Sequence, residues 1–180
     1  MCPNVEKFST NIGYFHAFDL LQPTTLPHLK DVYITHTDTE MGTHLDALEE
    51  SYLAAPSMET FTSHMTNSIG GTILPLGNLR HICLTWSSIS GGCLRTLLKS
   101  CPQLESLEYE AGGPFVGFDQ FSIARMIKLL SLYAPRLKRL DLDFQDDPES
   151  EDLDDDEGDD EHDFEPAPGF ASLSHLETLV

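Results

Sequence analysis

One short phrase recurs along the chain and limits what it can fold into. An apolar anchor is followed three positions later by a second apolar residue, and often by a third two positions beyond. The phrase reads Val5-Glu6-Lys7-Phe8, then Leu29-Lys30-Asp31-Val32-Tyr33-Ile34, then Met58-Glu59-Thr60-Phe61. It continues as Leu79-Arg80-His81-Ile82-Cys83-Leu84, as Leu104-Glu105-Ser106-Leu107-Glu108-Tyr109 and as Leu137-Lys138-Arg139-Leu140-Asp141-Leu142. The last copy is Leu176-Glu177-Thr178-Leu179-Val180. The seven anchors are separated by 24, 29, 21, 25, 33 and 39 residues.

Alternation of apolar and polar residues is the period of a half-buried strand. A strand that returns at such intervals cannot bury its apolar face alone and must stack on its neighbours. The first four intervals fall within the window of leucine-rich repeats, and the last two need insertions. Five anchors have proline two residues earlier: Pro3, Pro27, Pro56, Pro102 and Pro135. Proline cannot continue a helix and pushes its predecessor toward extended geometry, so it marks the passage from a helix to the next strand.

The intervening segments carry helix signals. Leu94, Leu97, Leu98 and Cys101 share one helical face, and Ile123, Met126, Ile127 and Leu130 repeat that spacing. Thr43-His44-Leu45-Asp46 resembles a capping box opening a helix that buries Leu45, Leu48 and Tyr52. Tyr14 to Leu21 is a weaker helical stretch, and residues 63–76 read as irregular coil. A doubly wound sheet would also alternate strands and helices. It calls for longer apolar runs and a Gly-rich phosphate turn after the first strand, and neither is present. The expected fold is therefore α/β, a leucine-rich-repeat solenoid with parallel strands on its concave face and helices or coil on its convex face. The first and last phrases are strands without caps, so the stack is expected to be uncapped or truncated at both ends.

Charge divides the chain further. Of 30 acidic residues, 14 lie between Asp146 and Glu165, leaving 16 acidic against 10 basic side chains elsewhere. The acidic run holds too few apolar residues to fold. The organisation expected is irregular repeats over 1–145, an acidic disordered insertion over 146–168, and the start of a further repeat over 169–180. Phosphate neutralisation needs clustered Lys and Arg, so no nucleic-acid partner is expected; a basic protein suits the field. No run approaches the length of a membrane span, and the first residues carry no signal-peptide pattern. The four cysteines form no C-x-x-C pair and read as reduced thiols of a cytoplasmic or nuclear protein, with Cys93 and Cys101 packed in the core.

Within each strand the residues between the apolar ones line the concave face. Among them Asp31, Tyr33, His81, Thr85, Glu108, Glu110, Arg139, Asp141 and Asp143 form the expected partner-binding surface, neutral or mixed early and acidic late. With the strands in register, Glu108 stands beside Asp141 and Glu110 beside Asp143, an arrangement suited to a basic segment of a partner. No metal or cofactor site is expected. His81 and Cys83 offer at most two ligands, and no zinc, phosphate-loop or hydrolase motif occurs. Asp152, Asp154 and Asp156 have the alternate spacing of a calcium loop but lack its glycine and its glutamate. Trp86 reads as packing at the edge of the core. A binding scaffold, not an enzyme, is the expected class.

The segment from Leu79 through Leu107, with its Cys101-Pro102-Gln103-Leu104-Glu105-Ser106-Leu107, resembles the C-terminal repeats of fungal F-box/leucine-rich-repeat proteins. So does the segment from Ile127 through Leu142. The resemblance covers most of the chain. It implies substrate recognition for a cullin–RING ubiquitin ligase. A Skp-type adaptor is implied only where an F-box lies upstream, because Pro3 and Val5 already belong to the first repeat. A second reading is similarity to the acidic leucine-rich nuclear proteins, which bind basic partners such as histones.

Overall fold

The computed structural model describes residues 4–12, 26–36, 43–44, 52–67, 76–112, 123–144 and 169–180. Six of the seven anchors close a tight turn among the described residues. The N–H of Leu29, Met58, Leu79, Leu104, Leu137 and Leu176 donates to the carbonyl three residues earlier, at 3.0–3.2 Å. Pro27, Pro56, Pro102 and Pro135 occupy the second position of these turns. Proline is favoured there because its fixed φ matches the turn. The prolines thus open a β-turn, and the helix ends ahead of it. Gly77 and Ser174 take the same position in the other two turns.

A strand follows every turn. In chain order the strands are β1 (Lys7–Ile12), β2 (Asp31–His36), β3 (Thr43–His44), β4 (Thr60–His64), β5 (Thr66–Asn67), β6 (His81–Ser87), β7 (Ser106–Ala111), β8 (Arg139–Asp143) and β9 (Thr178–Leu179). Seven of them form one parallel sheet in the order β1-β2-β4-β6-β7-β8-β9, and β3 pairs with β5 apart from it. The junctions of the large sheet begin identically. The carbonyl of the residue after one anchor accepts two N–H groups from the next strand's start, as Lys30 and Asp31 donate to Glu6 and as Glu177 and Thr178 donate to Lys138. This shared bond fixes the register, so equivalent positions of the phrase lie side by side in columns.

Parallel neighbours need crossover connections. Crossovers of one hand between successive spatial neighbours place their helices on one face of the sheet. Among the described residues two of these connections carry helices of ten residues or more, α1 (Gly91–Ser100) and α2 (Ile123–Tyr133), and short helical pieces lie at 52–54 and Phe170–Ser172. Ser90 caps α1 by accepting from the Cys93 N–H at 3.2 Å. Cys93, Leu94, Leu97 and Leu98 are buried on α1, and Met126, Ile127, Leu129 and Leu130 on α2. Lys99 lies 5.0 Å from the Tyr133 ring centre, tying the two helices at their ends.

The core lies between the helical layer and the sheet. Its inward columns are the turn residues such as Ala55, Leu76 and Cys101, the anchors, and apolar strand positions such as Phe61, Ile82, Leu84, Leu107 and Tyr109. Leu84 and Leu140, near the middle of these columns, are fully buried. The opposite face of the sheet receives no helix among the described residues.

Three local expectations need correction. Thr43 and His44 pair as strand β3 with Thr66 and Asn67, so their backbone groups are engaged in a ladder and not in a helix start. Residues 52–54 are helical, with Tyr52 half-buried; Leu45 and Leu48 lie outside the described residues. Residues 63–67 are largely strand and not coil: Ser63 and His64 complete β4, and Thr66 and Asn67 form β5. Ile123 is 44% exposed, because α2 begins there and its first turn extends past the core. Pro3, the stretch from Tyr14 to Leu21, and the acidic run 146–168 lie outside the described residues.

Candidate protein-recognition surface

The face of the sheet opposite the helices, uncovered among the described residues, displays three rows of side chains that run across the strands. The row nearest the turns is Lys7, Asp31, Thr60, His81, Ser106, Arg139 and Thr178. The second is Ser9, Tyr33, Thr62, Cys83, Glu108 and Asp141. A third runs in pieces: Asn11 beside Thr35, His64 beside Thr85, and Glu110 beside Asp143. The rows join in space residues that are about 20 to 40 positions apart in the chain, because the turn hydrogen bonds lock the register.

At the β1 end the face is electrically balanced. Lys7 Nζ lies 2.9 Å from Asp31 Oδ2. That bond holds the Asp31 carboxyl below its usual range, with the Thr60 hydroxyl assisting, and raises the Lys7 ammonium. Tyr33 is 43% exposed beside this pair. A shallow hollow of about 260 Å³ opens there, lined by Lys7, Phe8, Ser9, Asp31, Val32 and Tyr33, with Thr60 and Thr62.

The β7–β8 end is acidic. Glu108 stands opposite Asp141 and Glu110 opposite Asp143. Neighbouring strands run about 4.8 Å apart, so two like-charged pairs sit side by side. Arg139 is the one basic side chain in the two strands, and its Nη2 lies 3.1 Å from Asp141 Oδ2. Cys83 faces Glu108 from the other side. Its thiol is pushed up to about 12, first by burial, then by the charge of Glu108 and by donating to that carboxylate, with Asp141 and Glu110 adding to the field. The thiol therefore stays protonated and serves Glu108 as a hydrogen-bond donor.

The nine residues expected to bind a partner all lie on β2, β6, β7 and β8 of this sheet, but they do not form one spot. Asp31 and Tyr33 are three strand spacings from Glu108, about 14 Å. His81, Glu108, Glu110, Arg139, Asp141 and Asp143 group at the acidic end. Thr85 is drawn away from Glu110 by a break in register between Leu84 and Ser87. Its Oγ1 lies 2.9 Å from His64 Nδ1 instead.

Trp86 belongs to that break. It is 46% exposed, with φ of 50°, and its ring centre lies 6.2 Å from that of His64. It does not pack at the edge of the core, because the left-handed backbone turns its side chain outward. Met65, seven residues after its anchor as Trp86 is after Leu79, also has a left-handed φ of 61°. Such backbone is strained for bulky residues. Buried hydrogen bonds hold the place: the Thr66 N–H donates to Ser87 Oγ at 3.0 Å, and the Tyr109 hydroxyl to the Ser87 carbonyl at 2.9 Å. No local sequence signal announces this bulge.

A further column escaped the phrase-by-phrase reading. The residues just after the anchors are Glu6, Lys30, Glu59, Arg80, Glu105, Lys138 and Glu177, and their charges alternate at every step. Lys30 Nζ lies 3.1 Å from Glu59, and Glu105 is bonded on both sides, 2.8 Å from Arg80 and 2.9 Å from Lys138. Aligning the seven phrases on their anchors would have revealed it.

No group of three or more His, Cys, Asp or Glu side chains able to hold a metal ion occurs among the described residues. No described helix is long and apolar enough to cross a membrane. No protein-family model, curated protein or solved structure matches the chain.

Proposed function

We propose that this chain is a leucine-rich-repeat solenoid whose sheet face opposite the helices recognises a protein partner with a basic segment. Support for the solenoid is the sequential order of seven parallel strands, six of them introduced by the same turn among the described residues. The observation that carries the recognition is the double like-charge pairing of Glu108 with Asp141 and Glu110 with Asp143. Stacked carboxylates on an uncovered face repel each other, and the repulsion is relieved when Lys or Arg side chains lie between them. The biological setting we favour, from the resemblance of residues 79–107 and 127–142, is the substrate-binding repeat region of an F-box-type ubiquitin-ligase receptor. Chemistry on the substrate then belongs to the ligase, and this chain supplies recognition alone.

The acidic face and the acidic run together also fit an acidic leucine-rich nuclear protein that binds histone-like tails. Both readings require the same surface, so one experiment addresses it. Titration with a lysine-rich histone-tail peptide at low and at moderate salt should give binding that weakens as salt rises. The double variant Glu108→Lys, Asp141→Lys should lose that binding at least tenfold. Unchanged affinity in the double variant would remove the acidic face from the reading. Co-purification with a Skp-type adaptor, using a chain that carries an F-box ahead of these repeats, then separates the two settings.

A further inference from the structure

Trp86 is the one tryptophan of the chain, and the bulge sets it beside the acidic strands. The β6–β7 ladder pairs Leu84 with Tyr109 and then Ser87 with Ala111. Thr85 and Trp86 therefore share the register position that Glu110 fills alone on β7, the two-against-one count of a bulge. Glu110 in turn stands opposite Asp143 on β8. At about 4.8 Å per strand, the Asp143 backbone lies only about 10 Å from that of Trp86.

The indole shares the face of those carboxylates. Its ring centre is 6.2 Å from that of His64, with the planes tilted by 32°. His64, like Thr60 and Thr62, holds a half-buried position of β4 that alternates with the core positions Phe61 and Ser63. Its ring is tied by the contact of Nδ1 with Thr85 Oγ1 at 2.9 Å. On the other flank Ser87 is 1% exposed and its Oγ accepts from the Thr66 N–H. Trp86 is thus backed by one ring and pinned through its neighbour, yet 46% exposed. A bulky residue is costly at a φ of 50°, where glycine fits freely. Core packing does not offset that cost, because Trp86 is not part of the buried core. Strain of this kind collects at binding sites.

We infer that Trp86 is the anchor of the recognition face: an arginine of the partner's basic segment lies flat on the indole, with Glu110 as its counter-ion. The inference rests on the reading of this face as a site for a basic segment, and it names the residue that the face selects. Arginine fits better than lysine. Its guanidinium is planar and weakly hydrated, so it stacks on an aromatic face and keeps its edge N–H groups for a carboxylate. An ammonium is a strongly hydrated point charge and gains less from the ring. An apolar residue would cover the indole but bring no cation to Glu110. Tryptophan and arginine are also the residue types that dominate binding energy at protein interfaces.

The test uses the full chain and two peptides equal in length and charge, one with arginine and one with lysine at every basic position. Binding is followed by anisotropy of the labelled peptide and by the fluorescence of Trp86, which reports on this place alone because no other tryptophan is present. The two signals should saturate together, with the arginine peptide bound about two- to fivefold more tightly. Trp86→Gly, followed by anisotropy, should weaken the arginine peptide by about three- to tenfold and cancel its advantage. Its melting temperature should stay level or rise, since glycine accepts this backbone. Glu110→Gln should also weaken the arginine peptide. The inference fails if Trp86 fluorescence stays constant through a saturating titration, if the unaltered chain binds both peptides equally, or if Trp86→Gly binds as the unaltered chain does. In each of those cases, loss of binding in the Glu108→Lys, Asp141→Lys variant would leave the acidic face standing without this anchor. A Trp86→Gly chain that unfolds would give Trp86 a structural role and overturn the inference as well. Binding of neither peptide to the unaltered chain would overturn both readings.

Discussion

Glu108 and Asp141 stand directly opposite each other in the β7–β8 ladder, two carboxylates on adjacent parallel strands. Both are half-buried, so solvent screens them only in part. A like-charged pair in this position costs stability by a fraction of a kcal/mol to about 1 kcal/mol. Glu108→Gln should therefore raise the melting temperature, by about 1–3 °C for a chain of this size, while weakening the binding of a lysine-rich peptide. Differential scanning fluorimetry and the peptide titration, run on the same samples, check both. A variant that lost stability and kept full affinity would contradict the role given to the pair.

Cys83 offers a chemical readout of the same field. Burial and the neighbouring carboxylates raise its thiol to about 12, so at pH 8 only about one part in ten thousand is thiolate. Alkylation at Cys83, followed by peptide mass mapping, should be on the order of a hundredfold slower than at an unhindered thiol. Glu108→Gln removes the charge and leaves only a weaker, neutral amide oxygen as acceptor, and should speed it. The sign for stability follows from the raised value. The folded chain holds this proton more tightly than the unfolded chain, so the contribution is present below the ordinary thiol value of 9.0 and is lost as pH rises toward about 12. An alkaline unfolding limb that is smaller in Cys83→Ser would carry that signature.

How much of this was legible in the sequence depends on which interactions are local. The anchors and their apolar partners could be read directly, because a two-residue period assigns every strand side chain to a face. The pairing of Glu108 with Asp141 followed from stacking those phrases in register. Trp86 could not be placed, because its outward turn rests on a bulge held by Ser87 and Tyr109, residues that reach it from its own and the neighbouring strand. The strand at Thr43–His44 was hidden for a similar reason: its partner, Thr66–Asn67, lies more than twenty residues away, whereas the capping-box signal that suggested a helix is local. Ile123 matched a helical face by spacing alone, and spacing does not say how far a helix overhangs its core.

The turns make a prediction about stability. Gly77 occupies the turn position that proline takes in the four turns at Pro27, Pro56, Pro102 and Pro135, and a Cβ built on it meets nothing within 4 Å. Leu76 before it starts the same hydrogen-bonded turn as Cys101 before Pro102, with the Leu79 N–H donating to the Leu76 carbonyl at 3.1 Å. Gly77→Pro should therefore fit without strain and reduce the freedom of the unfolded chain. The expected gain is about 0.4–1 kcal/mol, measured by urea unfolding. A loss would mean that this turn differs in backbone angles from its proline-bearing counterparts.

The alternating column makes the last prediction, at Glu105. Its carboxylate is held below the usual range, chiefly by accepting from Lys138 and further by the charges of Lys138, Arg80 and His81. A lowered carboxyl contributes stability above its ordinary value of 4.5 and loses it as pH falls through the folded value. Glu105→Gln should therefore flatten the upper part of the acid unfolding curve. Glu105→Lys should do more harm than the neutral variant, since it sets three cations in consecutive strands between Arg80 and Lys138. Because these side chains are partly exposed, the difference between the two variants should shrink in about 1 M salt, where the screening length falls to about 3 Å. Urea unfolding of the three proteins at low and high salt measures it. A Glu105→Lys penalty that does not respond to salt would assign the loss to packing and not to the charge ladder.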